Sequence, residues 1–377
     1  MVKILQIVPG FPPTVDGLGD YAYQLGRQLR ADGAAKSCYL VADLQAARST
    51  PFDDFSVATL SVRSGEALTA AMEDAACEIV ILHYVGYGYA QRGCPGWLLN
   101  GVNQWKQRHR ESKLFTVFHE LYASGPLWSS AFWLSTMQKQ LCKSLYFLSD
   151  YSMTSTHCFS TQLNQWKHNK ELITLPVFSN IGEIEAPALL CDRTRKLIVF
   201  GSRASRTHAY LQNRHSINCV CRTLDIDEIW DIGPKVELEI KKIANVKVTA
   251  FGKLPAGEVS QRLQQAVAGF YDYTPGYWAK SGIFAAYCAH GVLPVSAQNA
   301  RPDKEGFAAD EICWSATAEN QNLTGGAAQE IATAAHEWYS AHSLGVCSTR
   351  IAKVLKLGQQ KPCGLLAASS ASRSVVQ

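Results

Sequence analysis

The sequence predicts an α/β chain made of two parallel-sheet domains in series. Three observations predict it. Short β-branched runs alternate with stretches of helical apolar spacing along nearly the whole chain. The opening order is strand, glycine-rich loop, helix, which starts a doubly wound domain. The same alternation restarts near residue 196, after a stretch of mixed charge containing Pro187. With 377 residues there is room for two domains at about 100–200 residues each, both large enough to bury a core. The expectation is two Rossmann-like domains facing one another across a cleft.

Taken in order, residues 2–8 (VKILQIV) are a short buried strand stopped by Pro9-Gly10. The loop 9–20 holds three prolines and three glycines, and apolar spacing at Tyr21, Ala22, Leu25 and Leu29 makes 21–30 a helix. Strands are expected at 37–41, 78–82, 113–118, 151–154 and 173–175, with helices at 65–75, 101–110 and 128–148. A linker is expected over 179–195. The second half then reads as strands at 196–200, 228–232, 246–251, 268–271, 293–296 and 311–314. Its helices are expected at 213–224, 237–244, 256–266, 283–289 and 327–340. The implied division is 1–185, 186–345, and a C-terminal helix and tail over 346–377 that frays beyond Leu357.

Hydrophobic residues at 47% and charged residues at 18% are ordinary for a globular chain. A net charge of +4 without a concentrated basic stripe argues against nucleic acid as a partner. It still favours anionic ligands such as nucleoside diphosphates, and weakly an acidic membrane surface. The 12 cysteines are scattered, with only Cys219 and Cys221 close together, and none has zinc-type spacing. Reduced thiols are expected. No run approaches the about 18 apolar residues of a membrane span, and the chain opens on a strand rather than a signal sequence. The expected location is the cytoplasm, with peripheral contact at the inner membrane face as a further option.

Four places carry a resemblance. They are Gly17-Leu18-Gly19 before the first helix, Phe118-His119-Glu120-Leu121-Tyr122 after a strand, Phe200-Gly201-Ser202 opening the second half, and Gly282–Val295 with its exit Ala-His-Gly-Val-Leu-Pro-Val. In this order and spacing the chain resembles the retaining glycosyltransferases of family four, which have the GT-B architecture. The resemblance covers nearly the whole chain. It implies transfer of a hexose-type sugar from a nucleotide diphosphate sugar to an acceptor hydroxyl, with retention and without a catalytic metal. It departs at one point. The family's donor site carries two glutamates, and the matching positions here are Trp278 and Ala286.

The residues themselves offer the following chemistry. Backbone N–H groups at Gly17 and Gly19 suit a diphosphate or sugar hydroxyl at a helix start, or a tight turn only. Asp16 flanks that loop as a candidate sugar ligand. His119 follows a strand at the carboxyl edge of a sheet, where it can orient the sugar or be satisfied by backbone. Glu120 is a candidate sugar ligand. Tyr84 and Tyr87 offer ring faces for a sugar or aglycone, or pack in the core. Arg203 and Arg206 follow Gly201, where two guanidiniums can neutralise a leaving diphosphate. Lys280, Ser281 and Gly282 open a helix and suit phosphate, with Lys280 as a point charge. Tyr273 frames the same place. The expected catalytic set is His119, Arg203 and Lys280. His336, Trp338, Tyr339 and His342 read as packing rather than a metal site.

Two other readings stay open. One is a non-catalytic relative that binds nucleotide or glycan. The other is a nicotinamide-dependent oxidoreductase, opposed by the lack of G-x-G-x-x-G in the first loop. The acceptor (a sugar, a lipid-linked group or a small molecule) is not specified by these motifs.

Overall fold

The computed structural model describes residues 1–13, 17–43, 52–123, 130–167, 170–237, 240–243, 245–298, 309–317 and 322–357. The first half runs β1 (Val2–Val8), α1 (Gly17–Ala31), β2 (Ala35–Val41), β3 (Ser56–Thr59), α2 (Gly65–Ala75) and β4 (Ile79–Tyr84). It continues with α3 (Gly86–Tyr89), α4 (Gly96–Arg108), β5 (Lys113–Phe118), α5 (Ser130–Leu148), β6 (Tyr151–Thr154), α6 (His157–Asn164) and β7 (Leu172–Thr174). Its seven strands lie in the order β3-β2-β1-β4-β5-β6-β7. All pair in parallel. A parallel sheet is covered on both faces, so β1 and β4 are apolar on successive residues rather than alternating.

The second half runs β8 (Thr194–Phe200), α7 (Arg203–Gln212), α8 (Arg214–Thr223), β9 (Glu228–Ile232), β10 (Lys242–Ile243), β11 (Val246–Gly252) and α9 (Ala256–Gln265). Then follow β12 (Ala266–Tyr271), α10 (Gly282–Ala289), β13 (Leu293–Ser296), α11 (Ala309–Ile312), β14 (Trp314–Ser315), α12 (Gly325–Ser340) and α13 (Leu344–Val354). The second sheet has the order β10-β11-β9-β8-β12-β13-β14. The two sheets are thus two Rossmann-like domains, as expected.

Local differences have local causes. The helix expected at 237–244 is not formed at its C-terminal end. There Lys242 and Ile243 pair antiparallel with Lys247 and Val246. Asn245 makes the return possible by adopting φ 68°. The strand expected at 311–314 is instead the end of α11 followed by β14. Residues 203–223 hold two helices, not one. The tail beyond Leu357 lies outside the described residues.

The C-terminal helix returns to the first domain. Within α13, Ser348 Oγ donates to Asp32 Oδ2 at 2.6 Å, and Cys347 Sγ lies 3.4 Å from the Tyr21 hydroxyl. Tyr21 in turn stacks on Phe178, centroids 4.1 Å apart. One continuous core therefore links Ile4 and Tyr21 to Phe178, Phe284, Tyr339 and Cys347. The segment between the sheets is pinned by α12, since Tyr339 donates to Glu183 Oε1 at 2.5 Å and accepts from the Ser179 amide at 2.9 Å. His342 is buried against Trp338 and Tyr339, so this cluster packs. Among the described residues every cysteine is a free thiol, and no helix is long and apolar enough to cross a membrane.

Candidate active site

In an open parallel sheet, ligands bind where the strand order reverses, beyond the carboxyl ends of the strands. In the first sheet that point lies between β1 and β4; in the second, between β8 and β12. The loops after β1, β4 and β12 meet around one cleft. Its larger chamber, about 280 Å3, is lined from the first domain by Gly17, Leu18, Tyr21, Val85, His119 and Glu120. From the linker come Val177, Phe178 and Asn180, and from the second domain Tyr273, Lys280 and Gly282. A second chamber of about 250 Å3 shares Glu120 and Lys280 with the first. It is walled by the rings of Tyr87, Tyr122, Phe159 and Tyr277, with Gln138 at its edge.

Lys280 stands at the junction. Its Nζ donates to Glu120 Oε1 at 2.9 Å and lies 5.2 and 5.5 Å from the ring centroids of Tyr277 and Phe159. Burial works against its charge, but Glu120 and Tyr273 outweigh this and raise its pKa. Lys280 therefore stays a cation in a mostly enclosed place. The next residue, Ser281, caps α10, its Oγ accepting from the Phe284 amide at 3.3 Å. The N-terminus of α10 at Gly282 thus faces the same chamber as the N-terminus of α1 at Gly17. Both helix ends favour negative charge.

The two glycines of the first loop do different jobs. Gly17 is exposed and lines the chamber. Gly19 is buried, and a Cβ there would sit 2.5 Å from the Gly10 carbonyl oxygen, so it lets α1 close on the loop after β1. Asn180 holds this corner, its Nδ2 donating to the Gly17 carbonyl at 3.0 Å. Its Oδ1 is buried without a partner among the described residues, an acceptor left for a ligand hydroxyl. Asp16 lies outside the described residues.

Behind His119 is a buried chain. Gln6 Nε2 donates to Ser37 Oγ at 2.8 Å, which turns Gln6 Oε1 toward His83 Nε2, also 2.8 Å away. His83 Nε2 is then the donor, and His83 Nδ1 accepts from His119 Nε2 at 3.2 Å. This leaves His119 Nδ1 without a proton. Burial and then the nearby Lys280 charge push the His119 pKa to about 3, and burial holds His83 well below its usual value. Both rings are neutral at pH 7. Tyr21 meets the His119 ring edge-on at 5.0 Å.

Two expected ligand residues are corrected by their surroundings. Tyr84 is the last residue of β4, fully buried with its ring against Phe118, so it offers no face to a ligand. Tyr87, three residues on, is exposed and does line the aromatic chamber. Arg206 is 2% exposed and its guanidinium is already spent on Asp231 and on the carbonyls of Gly201 and Pro234. It clamps the turns after β8 and β9 rather than reaching the cleft. Gly233 makes this clamp possible with φ 146°, since a Cβ would lie 2.7 Å from the Arg206 Nε. Arg203 is exposed, 3.6 Å from Glu237, and does not line the chambers.

Several participants had no motif. They are Asn180, Tyr21, and His83 with Gln6. Asp272, just after β12, is held by His208, by Asn213 Nδ2 at 2.7 Å and by Gln298 Nε2 at 3.0 Å, and lines neither chamber. Trp278 and Ala286, where the resembled family has glutamates, are both fully buried.

Neither a family model nor a curated protein matches the sequence. Solved structures do. The chain is similar to an alpha-glucosyltransferase in complex with UDP, at 10% identity and TM-score 0.62, covering 94% of this chain and 100% of that one. It is similar to WaaG, a glycosyltransferase involved in lipopolysaccharide biosynthesis, at 12% identity and TM-score 0.58, covering 93% and 99%. It is also similar to a putative UDP-N-acetylglucosamine 2-epimerase from Listeria monocytogenes, at 13% identity and TM-score 0.55, covering 94% and 96%. At such identities the likeness concerns the fold. This chain has the GT-B architecture of two Rossmann-like domains about a cleft, which these proteins share.

Proposed function

We propose that the protein is a glycosyltransferase that moves a sugar from a nucleotide diphosphate sugar to an acceptor hydroxyl, with retention of configuration. One observation carries the reading: Lys280 lies where two helix N-termini and two chambers meet. The first chamber suits the diphosphate and the transferred sugar, with Gly17, Lys280, Ser281 and Gly282 around the phosphates. Asn180 Oδ1 and the bare Nδ1 of His119 provide acceptors for sugar hydroxyls. The aromatic chamber, with Tyr87, Glu120 and the rings of Tyr122 and Phe159, suits the acceptor, whose apolar or sugar faces can lie against these rings.

In this reading Lys280 neutralises the leaving diphosphate as the glycosidic bond breaks. The departing phosphate oxygen takes the acceptor's proton, so no strong protein base is needed. His119, neutral and held by His83, orients the sugar. No metal is required, and transfer should survive a chelator.

The test is a titration with nucleoside diphosphates and nucleotide sugars, followed by thermal stability. A ligand at 100 times its dissociation constant adds about 2.7 kcal/mol. Stabilisation by one nucleotide family is expected. Stabilisation together with conversion of the donor sugar to an epimer, without acceptor, would replace transfer by isomerisation. No stabilisation by any of them would overturn the reading.

A further inference from the structure

Two cysteines distant in sequence meet in the first domain. Cys38 lies within β2, and Cys77 lies in the turn between α2 and β4. Their sulfurs are 3.7 Å apart. The pair exists only in the fold. The two cysteines closest in sequence, Cys219 and Cys221, sit two apart on α8, a spacing that turns them to different sides. Cys219 Sγ meets Thr223 Oγ1 instead, at 3.9 Å.

The surroundings of Cys38 and Cys77 differ from those of inert core thiols. Both keep some exposure, 8% and 7%, whereas Cys142, Cys288, Cys313 and Cys347 have none. Lys3 Nζ is held nearby by the Ala75 carbonyl at 2.7 Å, and its charge favours a thiolate at either sulfur. The hydrogen bond from Cys77 lowers the Cys38 pKa most; burial opposes this and Lys3 assists it. The same contact, followed by burial, raises Cys77. One sulfur is thus set as the nucleophile and its neighbour as the thiol that resolves it.

We propose that Cys38 and Cys77 are a site of reversible oxidation, closed to a disulfide by hydrogen peroxide. The Cys38 thiolate attacks one peroxide oxygen, the O–O bond breaks and hydroxide leaves, giving a sulfenic acid at Cys38. Cys77 Sγ then attacks Cys38 Sγ, the S–S bond forms and the S–O bond breaks. The two thiol protons turn both hydroxides into water, so the pair loses two electrons and the peroxide gains them. An S–S bond of about 2.05 Å needs the sulfurs to approach by about 1.7 Å. Cys77 is in a turn, outside helix and strand, and can supply that shift. The bond would clip β2 to the α2–β4 turn across β1 and close the chain that carries β3 and α2 into a loop. A clip of this kind stabilises by restricting the unfolded chain. Neither cysteine lines the cleft, so the site is separate from the proposed transfer.

The test treats the reduced full chain with hydrogen peroxide, blocks remaining thiols under denaturing conditions and maps the peptides by mass spectrometry. A linked Cys38–Cys77 peptide is expected, lost on treatment with dithiothreitol. The oxidised protein should melt several degrees higher than the reduced one. Cys77→Ser should stop at the sulfenic acid, captured on Cys38 by dimedone, and should show no such rise. Its circular dichroism spectrum should match the wild type. Nucleoside diphosphate binding is not part of the readout, so the result stands whatever the fate of the transfer reading. Absence of the linked peptide in the wild type would overturn the proposal, a result that does not depend on any variant folding. So would oxidation of the exposed Cys191 while Cys38 stays reduced, or an oxidised protein that melts no higher than the reduced one.

Discussion

Lys280 Nζ of the second domain lies 2.9 Å from Glu120 Oε1 of the first, so one ion pair spans the cleft. Glu120 is half-exposed at its side chain, and a pair of this kind is worth at most about 1 kcal/mol. A diphosphate brings more charge to the same lysine and should displace the carboxylate. Glu120→Gln removes the competitor. Nucleoside diphosphate binding is expected to tighten severalfold, most clearly at low salt. Calorimetric titration checks this, and weaker binding would mean that Glu120 itself holds the ligand.

Arg203 and Arg206 should separate into two kinds of residue. Arg206→Ala leaves Asp231 buried and uncompensated and is expected to cost about 3–5 kcal/mol of stability. Arg203→Ala, on the surface, should change stability by no more than about 0.5 kcal/mol. Denaturant titrations of both variants decide the matter. Equal effects would contradict the assignment of Arg206 as a clamp.

His119→Ala should lower turnover by about three- to tenfold, the scale of one lost hydrogen bond, while nucleoside diphosphate affinity holds. The check is to measure kcat and the dissociation constant side by side. A loss of affinity with turnover intact would move His119 from the sugar to the phosphates.

The buried histidines predict how stability follows pH. Burial, the leading cause in each case, depresses His119 to about 3, His290 to about 4 and His342 to about 3, and His83 is also held low. The unfolded chain binds these protons near pH 6.5, whereas the folded chain refuses them until far lower. Their contribution is thus fully present above about pH 6.5 and is lost as pH falls toward about 4, at up to about 1.4 kcal/mol per pH unit for each histidine. Melting temperatures should fall from pH 7 to pH 5, before the carboxylates begin to titrate. A flat or rising profile would contradict this.

Much of the fold was legible because each parallel strand is a short apolar run stopped by Gly, Pro or a polar residue. β5, β6, β9 and β13 match their sequence expectations at both ends. Tertiary docking was less legible: a C-terminal helix was expected, but not its return to the first domain. α13 is fixed by Ser348 on Asp32 and Cys347 on Tyr21, which lie over 300 residues earlier. β10 depends on a turn at Asn245 within a stretch whose composition favours helix. In the cleft, Gly17, His119 and Lys280 were found from loops that follow strands. Arg206 misled because a sequence shows a guanidinium but not the buried Asp231 that occupies it. Tyr84 misled because the last residue of a strand can point into the core as readily as into the cleft. Asn180 and His83 carry no motif. Their importance comes from an unpartnered oxygen and a hydrogen-bond chain that exist only in the folded molecule.

The most direct test of the central claim is calorimetric titration of nucleoside diphosphates into the wild type and into Lys280→Ala. The account predicts saturable binding of one nucleoside diphosphate to the wild type, weakened in the variant by about 1.5–3 kcal/mol, the worth of a hydrogen bond to a charged group. Unchanged affinity in Lys280→Ala, or no binding to the wild type, would contradict a diphosphate site at the junction of the two domains.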